Sequence, residues 1–324
     1  MEYRKFGRLQ WLISEVGYGM WGMGGDWDES DDARSAGALD LAVDLGCNFF
    51  DTAWIYGKGR SERIAGAMLD RQYGKMIYVA SKIPPENFAW PSKRGSNIED
   101  CFSAAHIRRF TEKSLHNLGI EQIDLMQFHV WEDAWADNEE WQRCVEDLKM
   151  EGKVHAFGIS VNRWEPWNVL ETLRTGHLDA VQVIYNIFDQ SPEDELFPLC
   201  QELNIAVIAR VPFDEGTLTG KLTRDTVFDD DDWRKRYFVP ANLEASVSRA
   251  EKLAADLPDE MSMPEASLRF ILSHPAVCTV IPGMRQPAHV RSNMAVGDGR
   301  GMAEELITKM WAHRWDRTPT TWSM

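Results

Sequence analysis

A closed (β/α)₈ barrel is the fold this sequence predicts, and three observations carry the prediction. Short apolar runs alternate with segments of helical period through most of the 324 residues. The runs are near-continuously apolar, the mark of a parallel sheet covered by helices on both faces. Eight such units in a chain of this length favour a closed barrel over an open doubly wound sheet, and residues 1–324 read as one domain.

Taken in order, YRKFGRLQWLISEVGYG reads as a small hairpin turning near Gly7, then a strand ending at Gly17-Tyr18-Gly19. Gly17, Gly19 and Gly22 fit G-x-G-x-x-G, but the third glycine leads into MGGDWDES, a loop with Trp21 and Trp27, and opens no helix. A dinucleotide fingerprint needs a helix N-terminus directly after the turn, so a barrel-mouth loop is the reading. SDDARSAGALDLAVDLG then supplies a helix with Ser30 or Asp31 as N-cap and Gly46 as C-cap. Strand 48–50, helix 61–71, strand 76–81, helix 104–118, strand 123–128 and helix 139–150 follow. Strand 154–160, helix 164–175, strand 180–185, helix 193–203, strand 205–210, strand 278–283 and helix 287–295 complete the series. The connection 211–277 is far longer than a turn. It holds the acidic FDDDDWRKRYF, helical pattern at 241–257 and helix 264–273, and the tail after residue 300 adds one more helix and an aromatic-basic end.

Composition narrows the function. A net charge of −16 argues against nucleic acid and anionic membrane as partners, while leaving room for a local site that takes one small anion. No apolar run approaches the ~20 residues of a spanning helix, and MEYRKFGRLQ is no signal peptide. Cys47, Cys101, Cys144, Cys200 and Cys278 show no C-x-x-C spacing and read as reduced thiols of a cytoplasmic protein, with neither a zinc site nor a disulfide frame. No H-E-x-x-H is present. The pattern selects no oligomeric state.

In such a barrel the reactive groups sit where strands end, at the C-terminal mouth. Those ends carry Asp51 and Tyr56, then Lys82, His129, Ser160 with Asn162, Gln182 and Arg210. Singly, each has a plain structural reading: a packing tyrosine, a solvated lysine, a capping aspartate, a core histidine. Together on consecutive strand ends they form a constellation.

FFDTAWIYGKGRSE, VASK, IDLMQFH, GISVN and VIPGMRQPAHVRSN, in that order, resemble the aldo-keto reductase superfamily, over residues 3 to 296. The resemblance implies a (β/α)₈ barrel and reversible NAD(P)H-dependent reduction of aldehydes and ketones without a metal. It implies Tyr56 as general acid, its phenol (free pKa ~10) made more acidic by Lys82, with Asp51 pairing Lys82 and His129 bonding the substrate carbonyl. For the cofactor it implies Ser160, Asn162 and Gln182 on the carboxamide. Phe213, amides near Gly216 and Gly220, and Lys221 would lie along the pyrophosphate. In the last segment, Arg285, with His289, would meet a 2′-phosphate and Asn293 the adenine, with Gly283 also against the cofactor. Arginine facing phosphate favours NADPH, with NADH as the alternative. Two departures stand out: Val161 inserted between Ser160 and Asn162, and cofactor-binding Arg210 where the family commonly has an aromatic residue to stack on nicotinamide, a guanidinium that could stack on the ring, bind the pyrophosphate or bind a substrate anion. The substrate is a small carbonyl compound, with a lean towards a sugar-like one, walled by Trp21, Trp54, Trp90 and Trp131, with Phe88, Phe213 and Trp315 as further candidates. Rival readings are a non-catalytic regulatory subunit and a lyase or epimerase using bound cofactor transiently, the latter prompted by Arg210.

Overall fold

The computed structural model describes residues 1–25, 29–230 and 232–322, with the side chains of 29–32 left aside. Trp27 and the capping side chains of Ser30 and Asp31 therefore lie outside the described residues. Strands β1 (Tyr3–Lys5) and β2 (Leu12–Ser14) pair antiparallel around a 3₁₀ turn at Gly7–Leu9, the expected hairpin. Then come β3 (Tyr18–Gly19), α1 (Glu29–Asp44), β4 (Phe49–Asp51), α2 (Arg60–Arg71), β5 (Tyr78–Ile83), α3 (Glu99–Phe102) and α4 (Ala104–Leu118). Next are β6 (Ile123–Phe128), α5 (Glu139–Met150), β7 (Val154–Ser160), α6 (Leu170–Arg174), β8 (Ala180–Ile184), α7 (Leu196–Leu203) and β9 (Ala206–Arg210). The long seventh connection carries α8 (Arg234–Tyr237), α9 (Pro240–Asp256) and α10 (Met263–Ser273), before β10 (Val277–Val280), α11 (Pro287–Met294) and α12 (Glu304–Trp311).

Strands β3 to β10 lie side by side in sequence order, each parallel to the next. Parallel bridges from Val16 to Val280 and from Gly19 to Gly283 join the first strand to the last, with the Gly17 amide donating to Val280 O at 2.9 Å. The barrel is a (β/α)₈ barrel, as the periodicity predicts.

The interior follows the two-residue period of a strand. Phe49, Ala80, Leu125, Ala156, Ala180, Ala206 and Ile208 form one buried cluster, with small residues on four strands leaving room for large ones on the others. Two positions further along, the same faces carry Asp51, Lys82, Gln127, Gly158, Gln182 and, beyond Ile208, Arg210. An apolar floor thus gives way to a polar ceiling within one pleat. Below the floor the β1–β2 hairpin inserts Phe6, which packs on Phe49 with ring centroids 5.6 Å apart. Gly7 is tied to this place: its φ is +51°, and a Cβ there would lie 2.6 Å from the Ala206 nitrogen.

Some boundaries move. Strand β5 begins at Tyr78 and runs to Ile83, so Lys82 lies within the strand rather than after it. The helix expected at 164–175 shortens to Leu170–Arg174, because Trp164 adopts a φ of +57° and packs against Tyr237 and Trp322 instead of continuing a helix. The helix expected from 193 starts at Leu196, after a 3₁₀ turn at Ser191–Glu193. Among the described residues no helix is long and apolar enough to cross a membrane.

Candidate active site

The strand order brings together at the mouth what the sequence spreads over 160 positions. Lys82 is wholly buried, and its ammonium donates to Asp51 Oδ2 at 2.6 Å, to the Thr52 carbonyl at 2.9 Å and to the Tyr56 hydroxyl at 3.3 Å. The other oxygen of Asp51 accepts from Gln182 Nε2 at 2.8 Å and from Gln127 Nε2 at 3.3 Å. Burial alone would lower the Lys82 pKa. The Asp51 carboxylate and the Tyr56 phenol outweigh it, and the pKa is raised. A buried cation is thereby held charged, with three acceptors for three N–H groups.

Tyr56 is delivered by the turn after β4. Its amide donates to Ala53 O at 3.1 Å, and the Gly59 amide closes the turn on Trp54 O at 2.6 Å. Gly24, from the loop after β3, lies directly on it: a Cβ on Gly24 would be 2.4 Å from the Tyr56 carbonyl carbon. The expectation that Lys82 makes this phenol acidic is corrected. Burial raises the Tyr56 pKa, and Lys82 opposes that rise without reversing it. His129 packs edge-on to Tyr56 with centroids 5.8 Å apart, and to Trp90 at the same distance. Burial, with Lys82 and Arg210 nearby, drives the His129 pKa well below its usual value, so the ring is neutral. Its Nδ1 is buried with no protein partner.

A cavity of about 170 Å³ opens on this cluster, lined by Tyr56, Trp90, Pro91, His129, Val130, Ser160, Val161, Asn162, Arg163, Gln182, Arg210 and Pro319. Ser160, Asn162, Gln182 and Arg210, expected to bind the cofactor, thus line one cavity with Tyr56 and His129. Asn162, which lines the cavity, also bonds to the neighbouring loops. Its Nδ2 donates to Ser92 Oγ and to the Trp131 carbonyl, each at 2.8 Å, and its Oδ1 accepts from the Trp131 amide at 3.4 Å, so its amide ties loops together.

Of the four tryptophans expected in the wall, only Trp90 lines the cavity. Trp131 is corrected to a core residue: it is wholly buried against Phe102, Phe128, Trp135 and Trp141, with its indole N–H on Thr172 Oγ1 at 2.8 Å. Trp54 packs on Phe110 beneath Lys113, and Trp21 is exposed, edge-on to Trp233.

In the segment expected along the pyrophosphate, Asp214–Thr219 form 3₁₀ turns broken by a kink at Glu215 and Gly216, where the Gly216 amide donates to Phe213 O at 2.9 Å and the Gly220 amide to Thr217 O at 3.2 Å. Lys221 is exposed at its end. Gly283 forms the barrel seam with Gly19. Arg285 lies along the rim with its stem over Gly22, whose absent Cβ leaves it room. His289 is exposed and Asn293 buried on α11.

Three contributors escaped the sequence. Gln127 was hidden inside the apolar run IDLMQF, although a lone polar residue at the strand's upper inward position is itself a signal. Arg163 reaches the cavity from the loop after β7 and pairs with Glu215 on the loop after β9. Pro319 comes from the tail, which crosses the mouth. There Trp315 donates its amide to Phe188 O at 2.8 Å, and Arg317 inserts between Asp189 and Asp214, 2.8 Å from the latter.

Comparison with known proteins is consistent with this geometry. Residues 15–308 match the model of the aldo/keto reductase family. The chain is 31% identical to "Uncharacterized oxidoreductase YqkF" of Bacillus subtilis, over 97% of this chain and 96% of that protein. It is 29% identical to the "NADH-specific methylglyoxal reductase" of Escherichia coli, over 87% and 89% respectively. Among solved structures, the glycerol dehydrogenase AKR11B4 of Gluconobacter oxydans superposes with a TM-score of 0.77 at 28% identity, covering 98% of this chain and 97% of that one. An aldo-keto reductase of Klebsiella pneumoniae in complex with NADPH shares the fold, with a TM-score of 0.68 at 24% identity over 95% and 93%.

Proposed function

This chain belongs to the aldo/keto reductase family, and on that premise we propose that it reduces an aldehyde or ketone to the alcohol with NADPH, Tyr56 serving as general acid. The observation that carries the reading is the unbroken run of contacts from Gln182 and Gln127 through Asp51 and Lys82 to the Tyr56 hydroxyl, which ends at a cavity shared with His129. Bound cofactor supplies the hydride; the remaining chemistry belongs to the protein. Carbonyl reduction leaves an alkoxide that needs a proton. Tyr56, its pKa raised, holds that proton at neutral pH, and the Lys82 ammonium stands 3.3 Å away to stabilise the phenolate left behind. Bonds to Asp51 and Thr52 O keep the ammonium from swinging away. Neutral His129 orients the carbonyl oxygen, and Ser160 and Gln182 border the place of the carboxamide. Five cysteines, all buried and unpaired, suit a reducing cytoplasm.

The test is oxidation of NADPH, followed at 340 nm, with a panel of aldehydes and ketones; no turnover across the panel would remove the reading. Its pH profile follows from the three titrating groups. Tyr56 and Lys82 have raised pKa values and stay protonated on the alkaline side, while His129 has a lowered one and stays neutral on the acid side. Reduction at saturating substrate is expected to be flat through neutrality and to fall only on the alkaline side, beyond the ordinary range of a phenol. An acid limb near pH 6.5 would show instead that His129 titrates in its ordinary range.

NADPH is preferred because Arg285 stands on the rim where the resemblance places the 2′-phosphate. Arg285→Ala is expected to raise the NADPH dissociation constant roughly 10- to 100-fold and to leave that of NADH nearly unchanged, as read by tryptophan fluorescence. Equal losses for both would take the phosphate away from Arg285.

A further inference from the structure

We propose that the substrate carries its own carboxylate and that Arg210 is the residue that binds it. The inference rests on the carbonyl-reductase reading of this cavity and specifies its substrate class as oxo acids. It begins from the pairing of charges around the cavity. Lys82 has Asp51, and Arg163 has Glu215. Arg210 has no carboxylate partner among the described residues: one Nη donates to the Val161 carbonyl at 2.9 Å, and its Nε is buried with nothing to receive its proton. Nη1 of Arg163 is buried and unpartnered on the same cavity wall. In a chain with 51 acidic residues, a buried guanidinium without one is a local arrangement.

Leaving such donors empty is costly, and the cost is recovered when an acceptor arrives. Burial first, and then the neighbouring Arg163, pull the Arg210 pKa down to about 10, and the Glu215 and Asp51 carboxylates, neither paired with it, offset this only in part. A carboxylate oxygen is the acceptor that the buried Nε of Arg210 lacks, Nη2 on the same edge being already bonded to the Val161 carbonyl. Arg210, Tyr56 and His129 line the same cavity, so one small molecule can present its anion to the first and its carbonyl to the other two.

The experiment compares 4-oxobutanoate with its uncharged counterpart butanal, at saturating NADPH, in the wild type and in Arg210→Met. The wild type is expected to favour the oxo acid in kcat/KM by roughly 10- to 100-fold, and Arg210→Met to bring that ratio within about threefold of one, with Arg210→Lys in between. Binding gives an independent readout: the dissociation constant of butanoate for the NADP⁺-saturated protein, followed by tryptophan fluorescence, should rise by a similar factor in Arg210→Met. A wild-type ratio near one together with butanoate affinity equal in both proteins overturns the inference and leaves carbonyl reduction standing. Absence of turnover for both aldehydes overturns the parent reading instead, and the butanoate titration then decides the anion site by itself.

Discussion

Tyr56→Phe is expected to lower kcat by about 10²- to 10⁴-fold, the usual worth of a positioned proton donor, while NADPH still binds within a few-fold of the wild-type constant. The substitution removes one oxygen and little else. Lys82 keeps Asp51 and the Thr52 carbonyl, so the ammonium stays where it is, and the T-shaped contact between ring 56 and His129 survives. Lys82→Met would be a less clean test, because it strands the buried Asp51 carboxylate with only two amide donors. A kcat within tenfold of wild type for Tyr56→Phe would mean that the proton reaches the alkoxide by another route.

The second large effect lies in the tail. Arg317→Met is expected to destabilise the protein by about 3–5 kcal/mol, the cost of removing one partner from a buried ion cluster. Arg317 is almost fully buried between Asp189 and Asp214, donates to Tyr237 Oη at 3.1 Å, and lies over the rings of Trp164 and Trp315 at 4.6 and 4.5 Å. Without it two carboxylates face each other out of water. Burial already raises the pKa of Asp189, and Arg317 is its chief counterweight. Tm should fall by roughly 6–15 °C, and limited proteolysis should open new cleavage after residue 315. A Tm within about 2 °C of wild type, with an unchanged digest, would show that the ring contacts alone hold the tail.

What could be read in advance follows from the range over which each signal acts. The strands were legible because an apolar run bounded by turns is a local pattern, and α4, β6, α5 and β7 begin and end where their periodicity does. The meeting of Asp51, Tyr56, Lys82 and His129 was legible because the barrel places every strand end on one rim. Pairings between loops were not. Nothing near Arg163 announces Glu215, and nothing in the tail announces Asp189. Trp131 misled because it sits just past a strand end, where side chains commonly face the mouth, yet here the loop folds back and buries it. The direction of the Tyr56 shift was missed because a motif shows the neighbouring cation but not the depth at which the pair is buried.

Asp51 has a further consequence. Its hydrogen-bonding partners lie 31, 76 and 131 positions along the chain. The Lys82 side of the centre lies within residues 51–82, but the Gln127 and Gln182 side forms only when strands far along the chain have docked. Recovered turnover after dilution from denaturant would therefore report completed assembly of the whole ring rather than the ordering of any one segment.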